Sequence, residues 1–260
     1  MKNVAVVTGA SSGIGRELVK KLDMLGLDEI WGIALESDLL EEVKKETKTK
    51  FVPIQMDLSD ERSYEEYKLL LEKFKPNISW LINAAGFGKL GSVEEIGTQN
   101  VLKMIDVNIK AVVAITEYSL AYMSQLGRIV NISSVAAFQP LPFMNVYGAS
   151  KTFVLNYSNA LNYELKNKNV SVTAVCPYWT KTKFIEKAEQ NENAVVKNFP
   201  VLYEPEFVAE KIMVAATKRK ATYVIGTYSK LQVFVTKLVC KNFVMKCWVK
   251  QQKLDERYFK

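Results

Sequence analysis

The 260-residue chain has no histidine. A Ser-His or Cys-His nucleophile needs an imidazole base, so both are excluded, as is a His-ligated metal. General acid/base work falls to Tyr, Lys, Asp, Glu or Cys. Cysteine is scarce as well. Cys176, Cys240 and Cys247 are odd in number and lack paired spacing, which argues against a disulfide framework and a Cys-rich zinc site. No metal is expected. No apolar run is long enough to span a bilayer. Met1-Lys2-Asn3 leads into the short apolar run of residues 4–7, with no signal-like core and no cleavage-like segment after it. A soluble cytoplasmic protein is the expectation. Repeats, low-complexity tracts and Gly/Ser linkers are missing too.

At 48% hydrophobic the chain can bury a sizeable core. Apolar runs of strand length alternate with helix-like stretches. Strands are expected at 4–7, 30–34, from 51 to 54, around 80–82, at 128–132, 170–175 and 222–225. Helices are expected at 14–26, 37–48, 60–75 (capped by Ser59 or Asp60), 99–125, 146–167 and 205–218. Strands without apolar/polar alternation, each followed by a helix, predict a parallel sheet covered on both faces. The fold class is therefore α/β, a doubly wound parallel sheet of Rossmann type in three layers and one domain. Ligands of such folds bind beyond the carboxyl ends of the strands.

The first strand runs into Thr8-Gly9-Ala10-Ser11-Ser12-Gly13-Ile14-Gly15. Glycines at a strand–helix junction let the backbone turn sharply and approach a pyrophosphate, while the next helix aims its N–H groups at the phosphates. A glycine cluster alone could be a tight turn, but two further segments stand in order behind it. Asn83-Ala84-Ala85-Gly86 follows the fourth strand, and Tyr147-Gly148-Ala149-Ser150-Lys151 opens a late helix. With these three motifs the chain resembles the short-chain dehydrogenase/reductases over about residues 1–225. The resemblance implies an NAD(P)-dependent oxidoreductase that moves a hydride between nicotinamide and a carbonyl or alcohol.

Tyr147 and Lys151 are four residues apart and share a helix face. A phenol with a pKa of about 10 is a poor base at neutral pH, and a neighbouring ammonium lowers that value. On spacing alone the two could be an ordinary exposed i,i+4 pair; the resemblance makes Tyr147 the expected acid/base. By resemblance, Ser134 orients the substrate oxygen, with Ser133 as the runner-up. Lys151 also binds the nicotinamide ribose, and Asn108 holds a water that links the lysine to solvent. The same resemblance assigns cofactor contacts to Gly9, Ser11, Ser12, Gly13, Ile14, Gly15, Asp57, Leu58, Asn83, Ala84, Gly86, Tyr147, Lys151, Pro177 and Thr182.

The chain departs from the family pattern in two places. Ala34 and Leu35 stand where the family usually has the acid and the arginine that choose between NAD and NADP. Glu36 follows them and would repel a 2′-phosphate, or could begin the next helix; the cofactor is left as NAD or NADP. Tyr178 replaces a usual glycine in Cys176-Pro177-Tyr178-Trp179. Residues 183–204 are expected to form a substrate lid. Phe138, Phe143, Met144, Tyr178, Trp179 and Phe184 mark either an apolar substrate pocket or ordinary core.

Residues 226–260 are expected to form a helical extension beyond the 1–225 catalytic domain, packed on the domain or on another subunit. Over 211–260 there are 12 basic and 2 acidic residues. A solvated surface is the plain explanation, with contact to an anionic membrane surface as the alternative. Lys230, Lys237 and Lys241 fall on one helix face and Lys246, Lys250 and Lys253 on a nearly opposite one, so two short helices with a break near Asn242 fit better than one. A small-molecule substrate and a homodimer or homotetramer are expected, with no nucleic-acid partner. A non-catalytic dinucleotide-binding regulator is the competing function, and sugar-nucleotide epimerase or dehydratase chemistry is disfavoured by the G-x-x-x-G-x-G spacing.

Overall fold

The computed structural model describes residues 1–188, 196 and 198–254. Its centre is one parallel sheet of β1 (Asn3–Thr8), β2 (Glu29–Ala34), β3 (Lys50–Gln55), β4 (Asn77–Asn83), β5 (Met123–Ile132), β6 (Ser171–Cys176) and β7 (Thr222–Val224), in the order β3-β2-β1-β4-β5-β6-β7. The chain winds outward from β1 to β3, then returns to the other side of β1 with β4. That reversal opens a crevice at the carboxyl ends of β1 and β4, the expected ligand position of such folds.

Successive side chains of a strand point to opposite faces, and β1 divides accordingly. Ala5 and Val7 pack with Leu18 and Val19 of α1 (Gly13–Leu22), Leu40 of α2 (Ser37–Glu46), and Ile212 of α9 (Pro205–Thr217). Val4 and Val6 pack on the opposite face with Tyr67 and Leu71 of α3 (Glu61–Phe74), Ile115 of α6 (Ala111–Ser119) and Leu161 of α7 (Asn145–Glu164). Burial on both faces explains why these strands read as continuous apolar runs.

Several boundaries differ from expectation. The first helix stops at Leu22, and Gly26 takes a positive φ in the turn beyond it. Asp60 caps α3, accepting from Arg62 N at 2.9 Å, while the Ser59 hydroxyl donates to Asp57. The single helix expected over 99–125 is broken. A short α4 (Val93–Ile96) precedes α5 (Thr98–Ile105), then a π-helical turn at Asp106–Lys110 leads into α6, and a 3-10 turn at 120–122 ends it. β5 then starts at Met123, which pairs with Ile78, five residues before the expected strand.

The remaining helices are α8 (Lys183–Ala188), α10 (Thr227–Leu238) and α11 (Lys241–Gln252). The tail is thus two helices with a break at Val239 and Cys240, near Asn242. No helix among the described residues is long and apolar enough to cross a membrane.

Candidate active site

At the carboxyl end of the sheet, the loops after β1 to β6 converge on one cavity of about 440 Å³. The glycine turn forms one end. Gly9 and Gly13 adopt φ of +68° and +53°, a left-handed backbone that side chains with a Cβ rarely take. A Cβ on Gly15 would stand 2.1 Å from Gly9 O, and one on Gly9 would stand 2.8 Å from Ala85 N. The turn is therefore packed backbone to backbone, and its shape depends on missing side chains. The β1 and β4 ends are tied together as Ala85 N donates to Thr8 Oγ1 at 3.1 Å.

Ser134 follows β5 and starts a short 3-10 turn, its Oγ accepting from Ala136 N at 3.1 Å. Tyr147 and Lys151 come one helical turn apart from α7, with the Lys151 amine 5.8 Å from the Tyr147 ring centroid. The Ser134 hydroxyl is near enough to the Tyr147 phenol to favour its ionised form. Ser133 Oγ instead donates to Lys151 O at 2.7 Å, which holds α7 against β5 and leaves Ser134 as the serine facing the phenol.

The electrostatics correct one expectation. Lys151 does not lower the Tyr147 phenol. Burial pushes that phenol up to about 12, with the Ser134 hydroxyl pulling the other way. Burial also pulls the Lys151 amine down to about 8, and Lys151 Nζ donates to Ile132 O at 2.9 Å rather than to the phenol. Desolvation disfavours both charged forms, and helical spacing alone carries no record of it. Cys176, buried beside them, is pushed up to about 12 by the same burial. At neutral pH the phenol is a protonated acid and the thiol is neutral.

The lysine shift has a testable consequence for stability. Between about pH 8 and 10.5 the unfolded chain keeps the Lys151 proton while the folded chain releases it, so this group makes the fold more stable as pH rises through that window. Below it, Lys151 is buried with its charge at full cost. Unfolding free energies of wild type and Lys151→Met are therefore expected to differ most below about pH 8, in favour of the variant, with the gap closing towards pH 10.5. A gap independent of pH contradicts the assignment.

Of the expected cofactor contacts, Gly9, Ser11, Ser12, Gly13, Ile14, Gly15, Asp57, Leu58, Ala84, Gly86, Tyr147, Lys151, Pro177 and Thr182 line the cavity, and so does Ser134. Two expected site residues do not. Asn83 points into the core, where Nδ2 donates to Thr116 Oγ1 and Asn131 Oδ1, so its side chain ties strands and α6 together beneath the site. Asn108 sits buried in the π-helical turn. Its Oδ1 accepts from Phe87 N, and its Nδ2 donates to Phe87 O and Ser150 Oγ. A Cβ on Gly86 would meet both Asn108 Oδ1 at 3.0 Å and Lys151 Nζ at 3.2 Å, so a side chain there would crowd both groups.

Glu36 lines the cavity near the glycine turn. Ser11 Oγ donates to it at 3.4 Å, and Lys187 Nζ of α8 reaches it at 3.1 Å. Burial raises its carboxyl, but the hydrogen bond and charge of Lys187 outweigh this and the net shift is downward. The carboxylate is thus anionic, although it also begins α2 as N-cap. Of the expected lid, α8 lies on the site, with the Phe184 ring 5.4 Å from that of Tyr147. Residues 189–195 and 197 fall outside the described residues.

Met144, Tyr178, Trp179 and Phe184 line the cavity, whereas Phe138 and Phe143 do not. Tyr178, in the usual glycine position, packs its ring 5.5 Å from Tyr228 of α10. Sequence reasoning missed the two cavity residues from the tail, Gln232 of α10 and Trp248 of α11. Trp248 Nε1 donates to Pro142 O at 3.0 Å, a contact across more than a hundred residues that no local pattern signals.

The model of the short chain dehydrogenase family matches residues 3–193, most of the chain. The chain belongs to the short-chain dehydrogenases. A probable short-chain type dehydrogenase/reductase of Helicobacter pylori is 31% identical over 248 residues, covering 88% of this chain and 90% of that one. Among solved structures, a short-chain dehydrogenase from Sphingobium yanoikuyae in complex with NADPH superposes with a TM-score of 0.77 at 24% identity, over 92% of this chain and 94% of that chain. A short-chain dehydrogenase/reductase from Burkholderia phymatum in complex with NAD gives 0.77 at 22%, over 90% and 92%. This short-chain dehydrogenase is accordingly an oxidoreductase acting on CH–OH and C=O groups, not a non-catalytic regulator.

Proposed function

We propose that this enzyme binds NAD in preference to NADP and transfers hydride between nicotinamide and an apolar ketone or alcohol, with Tyr147 as the proton donor or acceptor. The observation that carries this is the convergence of Ser134, Tyr147 and Lys151 on the same cavity as the glycine turn and Glu36. The side-chain-free cradle at Gly9, Gly13 and Gly15 fits a pyrophosphate, and the relatives with NAD and NADPH support a dinucleotide there. When bound, the nicotinamide supplies or accepts the hydride.

The chain's own residues do the rest. In reduction, Ser134 and Tyr147 hydrogen-bond the substrate oxygen and hold its carbon in place. As negative charge grows on that oxygen, the neutral phenol gives up its proton to it. The Lys151 amine, held by Ile132 O one helical turn from Tyr147, is placed to donate to the nicotinamide ribose. Asn108 holds the α7 turn that carries Lys151, through its hydrogen bond to the neighbouring Ser150 Oγ. Met144, Trp179, Phe184 and Trp248 give the substrate side an apolar wall and exclude water. Residues 1–225 with α10 and α11 act as one catalytic unit in the cytoplasm, as a homodimer or homotetramer, with α8 as part of the lid.

NAD preference rests on Glu36, an anionic carboxylate at the cavity that favours a ribose 2′-hydroxyl and opposes a 2′-phosphate. Fluorescence titration of the chain with NADH and NADPH is expected to give tighter binding of NADH. Glu36→Gln is expected to shift the ratio of the two dissociation constants towards NADPH by about fivefold, as a charge contact near the surface supports. Tighter NADPH binding by the wild type would overturn the preference, and failure of both to bind would overturn the function.

A further inference from the structure

The outer face of α10 is apolar where a surface helix should be polar. Leu231, Phe234, Val235 and Leu238 are 63%, 59%, 46% and 70% exposed. At about 100° per residue these four fall within a single arc of roughly 100°. Ser229 and Val233, on the other side of the helix, are buried against the domain. The domain therefore covers one side of α10 and leaves a second apolar stripe facing outward. Lys230 and Lys237, seven residues apart, run along one flank of the stripe. The next helix opens with exposed Lys241 and an exposed Phe243. Scattered exposed apolar residues need no explanation, but a continuous stripe beside a row of cations does.

We infer that this stripe docks α10 on the surface of an anionic phospholipid bilayer. Leucine and phenylalanine along one face with lysine beside them is the composition of a helix that lies in the interface plane, apolar side chains at the acyl boundary and ammonium groups among the headgroups. Charge complementarity selects the occupant. From residue 211 to 254 the sequence has ten basic and no acidic residues. A two-fold pairing of two copies through this face would place the same patch against itself, lysine towards lysine with no carboxylate between. An anionic bilayer meets both halves of the surface at once. No membrane-spanning helix is needed for such contact, and none is present among the described residues. The docking helix α10 also contributes Gln232 to the cavity wall, so the lipid-facing element bounds the cavity. The inference stands on the surface alone and does not depend on the hydride chemistry.

Vesicle flotation of the full chain tests it. The wild type is expected to float with phosphatidylcholine vesicles containing a third phosphatidylglycerol, about tenfold more tightly than with phosphatidylcholine alone, and to be released by salt. Lys230→Ala with Lys237→Ala is expected to weaken binding about tenfold or more. Leu231→Ser with Phe234→Ser should do the same by removing apolar contact. All four positions are exposed, and unchanged thermal unfolding confirms that both variants fold. No flotation of the wild type with anionic vesicles at low salt overturns the inference, as does equal flotation of the variants. A dimer by light scattering that the serine pair converts to monomer, without vesicle binding, assigns the face to a second copy instead and overturns it too.

Discussion

Tyr147→Phe is expected to lower kcat/KM for ketone reduction by about 10²–10⁴-fold while leaving dinucleotide affinity within about twofold. The substitution removes one hydroxyl from a buried ring that packs on Phe184 and faces Ser134, and it leaves the ring in place. Cavity shape and the glycine turn are unchanged, so the loss falls on proton transfer and on orientation of the substrate oxygen. Steady-state kinetics with the preferred cofactor, beside a fluorescence titration, separates the two effects. Wild-type turnover in the variant contradicts the assignment of Tyr147.

The sign of the pH dependence follows from the same burial. A phenol pushed up to about 12 is protonated throughout the neutral range and ready to donate. Reduction is therefore expected to proceed at neutral pH and to fall as the medium becomes strongly alkaline. Alcohol oxidation needs the phenolate as acceptor and is expected to rise over the same range.

Gly15→Ala is expected to damage the other end of the cavity. Its Cβ would lie 2.1 Å from Gly9 O and 2.7 Å from Gly9 C, both backbone atoms with no flexible side chain to swing away. Either α1 moves off β1 or the turn at Gly9 opens. Overpacking of this kind costs about 1–3 kcal/mol of stability. A comparable loss at the cradle corresponds to roughly ten- to a hundredfold weaker dinucleotide binding. Thermal unfolding and NADH titration check the two separately. Full affinity with unchanged unfolding would show that the turn does not depend on close backbone approach.

The parts of this site that were legible in sequence are those that follow from local rules. Strands buried on both faces are continuous apolar runs, so β1, β2 and β6 stand close to where the pattern places them. Glycine positions report backbone geometry directly, which is why the turn after β1 could be read as a cradle. The interruption at Asp106–Lys110 was hidden, because one extra residue in a helical turn hardly changes an apolar periodicity. Asn83 matches its motif but serves the core, a distinction that depends on which way a side chain leaves the end of β4. The tail was hardest. Trp248 and Gln232 reach the cavity only through tertiary packing, and the outward stripe of α10 appears only once burial shows which face the domain has taken. The ionisation of Tyr147 and Lys151 was misread for a related reason, since desolvation belongs to the folded site and not to the spacing of two residues.

The most direct test follows an isotope. The wild-type chain is supplied with the reduced form of its preferred dinucleotide, deuterated at the transferable position of the nicotinamide, and a panel of apolar ketones. Mass spectrometry is expected to find alcohol carrying one deuterium at the former carbonyl carbon, with the label absent from the hydroxyl, whose proton comes through Tyr147 from water. Bound dinucleotide that transfers no label to any ketone of the panel, or alcohol that forms without it, would contradict the account.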